Sequence, residues 1–274
     1  MKIRMYTEFG ALNSAPVFAA MAQGLRHHGM TVTEQGEADV AVIWSLLWAG
    51  RMRRNREIWQ QYRNTGRHVI SLEVGLKRGL TWRISVDGNP VYMAATSQRR
   101  PELLELNLQP WRSSGQNIVI ALQRPESLQW QGQPDPAVWV TQVLTRIRAY
   151  TDRPVSVRCH PRSTVNLPSG VKVEMPRSIP DTYDEFDFAD SLNTAWAVIN
   201  HNSNPGVEAI LAGVPAFVDR SSRAAPVGNI DLTMIESPSQ PDRTAWFERL
   251  CHSEWLLPEI SAGAGLDHVI ACCH

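Results

Sequence analysis

Residues 39–44 read Asp39-Val40-Ala41-Val42-Ile43-Trp44, an almost unbroken apolar run with no polar alternation. Such a run fits a strand covered on both faces, and strands of that kind belong to parallel sheets flanked by helices. The neighbouring segments agree. Residues 2–6 predict a short strand, and residues 16–28 a helix with Val17, Met21 and Leu25 on one face. Ser14 precedes Pro16 as a candidate N-cap, and Gly29 closes the helix. Residues 51–64 predict the next helix, closed by Gly66, and residues 67–72 the next strand. Asp87-Gly88 between short alternating runs signals a hairpin within residues 83–93.

A polar stretch with Pro and Gly at residues 109–115 predicts a linker, after which the alternation restarts. Strands are expected at 117–122, 154–158, 195–200 and 215–218, and helices at 137–150, 205–211, 244–252 and beyond 255. Two such halves predict an α/β chain of two doubly wound, Rossmann-like domains facing a cleft, with boundaries 1–112 and 113–274.

Composition narrows the class. With 43% hydrophobic and 20% charged residues, the 274-residue chain is an ordinary globular one, not disordered or collagenous. The start, Met1 to Glu8, has no apolar core of a signal peptide, and the apolar run at 40–50 is far too short for a membrane span. The four cysteines form no framework, and a soluble, cytoplasmic protein without membrane contact is expected. Net charge is zero, yet residues 1–112 hold 15 basic and 9 acidic residues (+6), and residues 113–274 hold 12 and 18 (−6). Arg51, Arg53, Arg54, Arg56, Arg63 and Arg67 crowd one segment, as a solvated helix face or a surface for an anionic partner would.

Two loops carry candidate chemistry. The first follows a strand and reads Arg158-Cys159-His160-Pro161-Arg162, delivering cations that can hold a phosphate. The second reads Asn200-His201-Asn202-Ser203-Asn204-Pro205-Gly206-Val207-Glu208. There a buried strand enters a polar turn, Ser203 or Asn204 caps a helix begun by Pro205, and the helix N-terminus offers its amides to an anion. Gly206 would let a ligand approach, and Glu208 in the first turn would accept from a ribose hydroxyl. Cys272-Cys273-His274 lacks metal-ligand spacing, Gly263-Ala264-Gly265 follows no strand, and Asp184 to Asp187 with Asp190 reads as a solvated acidic segment.

The His-Pro loop, followed some forty residues later by the Asn/Ser turn and Glu208-Ala209-Ile210-Leu211-Ala212-Gly213-Val214-Pro215, resembles the donor half of GT-B glycosyltransferases. It is similar to capsule-type transferases and to bacterial sialyltransferases with a His-Pro motif and a downstream Ser motif. By that resemblance His160, Arg162, Ser203, Asn204 and Glu208 hold the nucleotide of a nucleotide sugar; Asn202 and Gly206 in the same turn are further donor-binding candidates, and Arg124, placed after the strand at 117–122, is a further candidate phosphate ligand. The first half, through Asn13 to Val17, Val42-Ile43-Trp44, Leu72 to Gly75, Arg78-Gly79 and Trp82, looks similar to short glycosyltransferase-like proteins of bacteriophages. This implies a basic acceptor domain with Ser14, Trp44, Arg51, Arg54, Arg78 and Trp82 at the acceptor, and hydroxymethylated pyrimidine in phage DNA as that acceptor. An inverting transfer needs a base, for which Glu73 and then Glu8 are the candidates, with His160 acting on the leaving phosphate. Neither metal nor other cofactor is expected besides the nucleotide-sugar co-substrate. A capsule or other saccharide transferase, a nucleotide-sugar 2-epimerase and a non-enzymatic nucleic-acid binder are the competing readings.

Overall fold

The structure is a computed structural model and describes residues 1–93, 99–163, 165–167, 169–182 and 184–274. The chain divides into two compact units, residues 1–106 with 126–128 and 248–274, and residues 107–125 with 129–247.

The first unit opens with β1 (Lys2–Met5) and α1 (Ala15–His27). Val17, Met21 and Leu25 are buried, as their spacing predicts. Ser14 does not cap α1 with its side chain. Its backbone is already helical (φ −81°, ψ −24°), so its hydroxyl donates back to the Ala11 carbonyl at 2.7 Å. The short β2 (Thr31–Thr33) follows, too brief for a periodic signal. Next comes β3 (Val40–Trp44), buried at every residue. A 3-10 turn, Gly50–Arg54, leads into α2 (Asn55–Asn64), splitting the expected helix. Then come β4 (His68–Val74), β5 (Thr81–Val86), β6 (Asn89–Pro90) and α3 (Arg100–Leu103). Asp87 (φ 53°) and Gly88 (φ 82°) form the hairpin turn between β5 and β6. Strands β2, β1, β3 and β4 lie side by side in that order, all parallel.

The second unit runs β7 (Asn117–Ala121), α4 (Pro136–Ile147), β8 (Val155–Arg158), β9 (Lys172–Glu174), α5 (Phe188–Leu192), β10 (Ala195–Asn200), α6 (Asn204–Leu211) and β11 (Ala216–Phe217). The sheet order is β11-β10-β7-β8-β9, parallel throughout. The chain therefore steps outward from β7 on one side, then returns to build the other side, the doubly wound pattern. Asp135 caps α4 by accepting from the Ala137 N–H at 2.8 Å, and Val140, Val143 and Ile147 pack on Ile118, Ile120 and Val157. Helix α7 (Thr244–Cys251) spans the point where the second unit gives way to the first.

The expected contiguous second half is corrected at its end. Residues 248–274 belong to the first unit. There β12 (Trp255–Leu256) pairs antiparallel with β5, and α8 (Leu257–Ala262) packs on α1, followed by α9 (Leu266–Ala271). The approach of α8 to α1 is so close that a Cβ on Gly24 would lie 2.1 Å from the Ile260 carbonyl. Polar clamps hold the return. Arg100 is buried, its guanidinium ion-paired with Glu259 and donating to the Glu254 carbonyl. Glu259 also accepts the Leu256 N–H at 2.8 Å. The Glu254 carboxylate, fully buried, accepts from the Leu76 N–H and the Thr81 hydroxyl, each at 2.7 Å. Cys273 is buried in the apolar core of this unit, and burial, with Asp87 and Cys272 nearby, pushes its thiol up to about 12.

Removing one member of a buried ion pair leaves the other charge stranded, at a cost of about 3–5 kcal/mol. Arg100→Met is expected to lower stability by that order in urea unfolding. Glu259→Gln keeps an acceptor for Leu256 but strands the fully buried Arg100 guanidinium, and is expected to cost a similar amount.

Candidate functional site

The carboxyl edge of the second sheet gathers the residues of both candidate loops. In a doubly wound sheet the crevice for a ligand forms where the strand order reverses, here outside the ends of β7 and β10. The side chain of Asn200, the last residue of β10 and 1% exposed, joins the two strands. Its amide donates to the Ala121 carbonyl and to the Ser203 hydroxyl, both at 2.8 Å, and its oxygen accepts the Ser203 N–H at 2.9 Å. The Asn202 N–H donates to Gln123 Oε1 at 2.8 Å, tying the turn to the loop after β7. The Asn202 amide reaches Ser221 Oγ at 2.9 Å in the loop after β11, and Ser221 donates to Asp219 at 2.6 Å. Three loops are thus fixed to one another by side-chain hydrogen bonds.

Ser203 stands at the N-cap position of α6 with extended backbone (φ −145°, ψ 172°), as expected, but its hydroxyl makes no capping bond. The Asn200 amide occupies it instead. Asn204 and Pro205 begin the helix. Gly206 is buried, and a Cβ there would sit 2.9 Å from Val218 Cγ1 and 3.2 Å from Asn200 Oδ1. Its missing side chain seats α6 against the sheet, which corrects the expectation that it admits a ligand. Glu208 lies beyond the first turn of α6, not within it.

Sequence reasoning passed over Gln123, His201, Asp219 and Ser221. His201 is buried, its Nε2 3.0 Å from the Gln129 carbonyl and its ring edge-on to Trp130 at 5.2 Å between centroids. Burial works to raise the Asp219 carboxyl, but hydrogen bonds from Ser221 and the nearby His201 outweigh it and hold the group below its ordinary value. The rule that ligands gather after strand ends would have found all four, since each follows a strand that the sequence revealed.

The loop after β8 keeps its expected shape in part. The Arg162 N–H donates to His160 Nδ1 at 3.1 Å, which places the proton of the neutral ring on Nε2. The Arg162 guanidinium is exposed and ion-paired with Asp184 at 2.6 Å. Arg158 is not delivered into the loop. It is buried within β8, ion-paired with Asp187 and 3.2 Å from the Ser191 hydroxyl. Asp187 therefore is not solvated either. Burial alone would raise its carboxyl, but hydrogen bonds from Arg158 and Arg177 hold it well below the carboxylate range.

In the first unit, Glu73 at the end of β4 accepts from the Ser45 hydroxyl at 3.2 Å and the Leu46 N–H at 3.1 Å, and pairs with Arg83 at 3.3 Å. The carboxylate thus braces the turn after β3, where Ser45 has φ 63°. Glu8 is exposed in a short 3-10 turn, Thr7–Phe9, and no hydrogen bond or ion pair engages it among the described residues. Three expected acceptor residues are corrected. Ser14 is buried, as are Trp44 and Trp82, whose rings meet edge-on at 5.9 Å in the core. Trp44 lies in a strand covered on both faces and Trp82 packs on it from β5, so neither ring is open to a ligand. Arg51, Arg54 and Arg78 are exposed.

No protein-family profile matches the chain, and no curated protein matches it. Among solved structures the chain is similar to the Thermosulfurimonas dismutans KpsC beta Kdo 2,4 transferase, with a TM-score of 0.51 and 11% identity over 99% of this chain and 97% of that one. It is also similar to the T. dismutans KpsC beta Kdo 2,7 transferase, with a TM-score of 0.49 and 15% identity over 96% and 89%. A putative UDP-N-acetylglucosamine 2-epimerase from Listeria monocytogenes gives a TM-score of 0.31 and 11% identity over 99% and 95%. The first likeness shows the fold alone, a mixed α/β one with parallel sheets. No helix among the described residues is long and apolar enough to cross a membrane.

Two outcomes follow from the site's polar links. Asn200→Ala strands the Ser203 N–H and the Ala121 carbonyl and is expected to cost about 1–3 kcal/mol in thermal unfolding. Asp187 titrates lower in the folded chain than in the unfolded one, so its contribution is present above the unfolded carboxylate value of about 3.9 and is lost as pH falls through the folded value. The stability gap between wild type and Asp187→Asn, about 3 kcal/mol at neutral pH, is expected to narrow below about pH 4 in urea unfolding compared at pH 7 and pH 3.

Proposed function

We propose that the chain is a glycosyltransferase that moves a sugar from a nucleotide-sugar donor to a hydroxyl acceptor, with the donor held at the carboxyl edge of the second sheet. The observation that carries this reading is the cross-tied edge itself. Asn200, Asn202 and Gln123 lock the loops after β7, β10 and β11 at the point where strand order reverses. The fold shared with a Kdo transferase supports the same reading.

Sugar transfer breaks the bond between the anomeric carbon and a phosphate oxygen, and negative charge grows on that phosphate. Groups fixed in advance around it lower the barrier without further rearrangement. Nε2–H of His160 is a donor suited to a phosphate oxygen, and protonation of the ring would strengthen it. Arg124, half-buried after β7, and the N-terminus of α6 supply the remaining positive potential, while the charge of Arg162 is largely balanced by Asp184. Asp219, ionised at neutral pH, and Asn202 offer acceptors and donors for the nucleoside hydroxyls. Should the transfer invert configuration, Glu8 has the uncommitted carboxylate that a base requires, whereas Glu73 is engaged by Arg83, Ser45 and Leu46. The expected DNA acceptor loses the tryptophans meant to hold its base, and a capsule-type saccharide acceptor takes first place.

Thermal unfolding with CMP, UDP, GDP, dTDP and their sugars tests the reading. One nucleotide at about 100 times its dissociation constant is expected to stabilise the chain by about 2.7 kcal/mol. At this chain length that is a rise of about 5–10 °C. His160→Ala is expected to remove most of that rise. A folded protein that responds to none of these compounds overturns the proposal. The donor so identified, offered with saccharide acceptors and with hydroxymethylated DNA, yields a product whose mass names the acceptor.

A further inference from the structure

The first unit contains one group of arginines that its fold does not use. Arg63 is paired with Asp87, Arg83 with Glu73, Arg99 with Glu102 and Glu248, and Arg100 with Glu259. Arg51, Arg53, Arg54 and Arg56 are all exposed, and among the described residues none of the four has an ion pair or a hydrogen bond. They stand in the 3-10 turn and the first turn of α2, where the helix dipole disfavours positive charge. Arg26, by contrast, lies in the last turn of α1, where the dipole favours it. Neither pairing nor the dipole explains why four cations crowd into six residues.

The turn that carries them is anchored. Asn55, between Arg54 and Arg56, is fully buried, and its amide donates to the Trp44 carbonyl at 2.6 Å and the Phe9 carbonyl at 3.4 Å. Those carbonyls follow β1 and end β3. In the order β2-β1-β3-β4, the ends of β1 and β3 are where the strand order reverses, the place in an open parallel sheet where ligands sit. The arginines are therefore fixed beside a ligand position of the first sheet by a buried side chain.

We infer that Arg51, Arg53, Arg54 and Arg56 bind the anionic groups, carboxylate or phosphate, of a saccharide, and that this saccharide is the acceptor; the acceptor role rests on the glycosyltransferase reading, the binding does not. Planar guanidinium forks match carboxylate and phosphate in pairs. A long nucleic acid fits less well. The group is compact, the neighbouring arginines are already paired, and no aromatic side chain of the first unit is exposed among the described residues to stack a base.

The test uses the full chain and fluorescent oligosaccharides. A polyuronate octamer and a phosphorylated oligosaccharide distinguish the two anionic groups, a neutral dextran oligomer serves as control, and a 20-bp DNA duplex is the competing class. Binding of one anionic saccharide is expected to weaken at least tenfold in the double variant Arg53→Ala/Arg54→Ala and to vanish in Arg51→Glu/Arg54→Glu. Arg26→Ala is expected to bind like wild type, and every variant to keep its circular dichroism and melting temperature. Equal binding of dextran, unchanged binding in the double variant, or arginine-dependent binding of the duplex alone overturns the inference. The nucleotide-induced rise in melting temperature, measured on the same variants, separates the two proposals. If saccharide binding depends on the arginines but no nucleotide stabilises the chain, the surface stands and the acceptor role falls with the transferase reading.

Discussion

A parallel strand that is covered on both faces cannot turn back directly. It must hand the chain to a crossover, and every crossover leaves from the same edge of the sheet. That constraint governs the second unit throughout and the first as far as β4, which turns back into the antiparallel β5. In the second, it brings the turns after β7, β8, β10 and β11 to one edge although they lie up to a hundred residues apart in sequence. Loops so assembled would still be free to move. The Asn200 side chain, reaching from β10 to the last carbonyl of β7 and to the turn that starts α6, converts adjacency into fixed geometry. The proposed donor site depends on that fixity, because electrostatic stabilisation works only when the stabilising groups are already in place.

The parts of this arrangement that were legible in the sequence are local. The run from Val40 to Trp44 announced a doubly covered strand, β10 was placed at both its ends, and Asp87-Gly88 named its own turn. Each depends on neighbours within a few residues. What escaped depends on distant partners. Arg158 and Asp187 are 29 residues apart, and only the fold shows that the cation at the end of β8 is neutralised in place. Ser203 and Ser14 carry the right side chains for caps, yet each hydroxyl is claimed elsewhere, by Asn200 and by the Ala11 carbonyl. Strands β2, β9 and β12 have two or three residues each, too few for a period to show. The burial of Trp44 was implicit in the same run that identified its strand.

Charge shows the same division between local and distant information. The excess of basic residues in the first half is visible by counting, but its meaning depends on which cations find a carboxylate. Arg63, Arg83, Arg99 and Arg100 brace the fold through Asp87, Glu73, Glu248 and Glu259, some of them far away in sequence. Subtracting those leaves the short arginine-rich turn as the densest part of the asymmetry directed outward.

The return of residues 248–274 to the first unit also imposes an order of events. Thr81 and Glu254, which meet in its interior, are 173 residues apart, and nearly the whole second unit lies between them. During synthesis β12, α8 and α9 leave the ribosome only after that entire unit has emerged. The second unit can close as soon as its own strands are out, whereas the first must wait with the flank of β5 uncovered and Arg100 without its carboxylate. Closing so long a loop is slow, so the part made first is the part completed last.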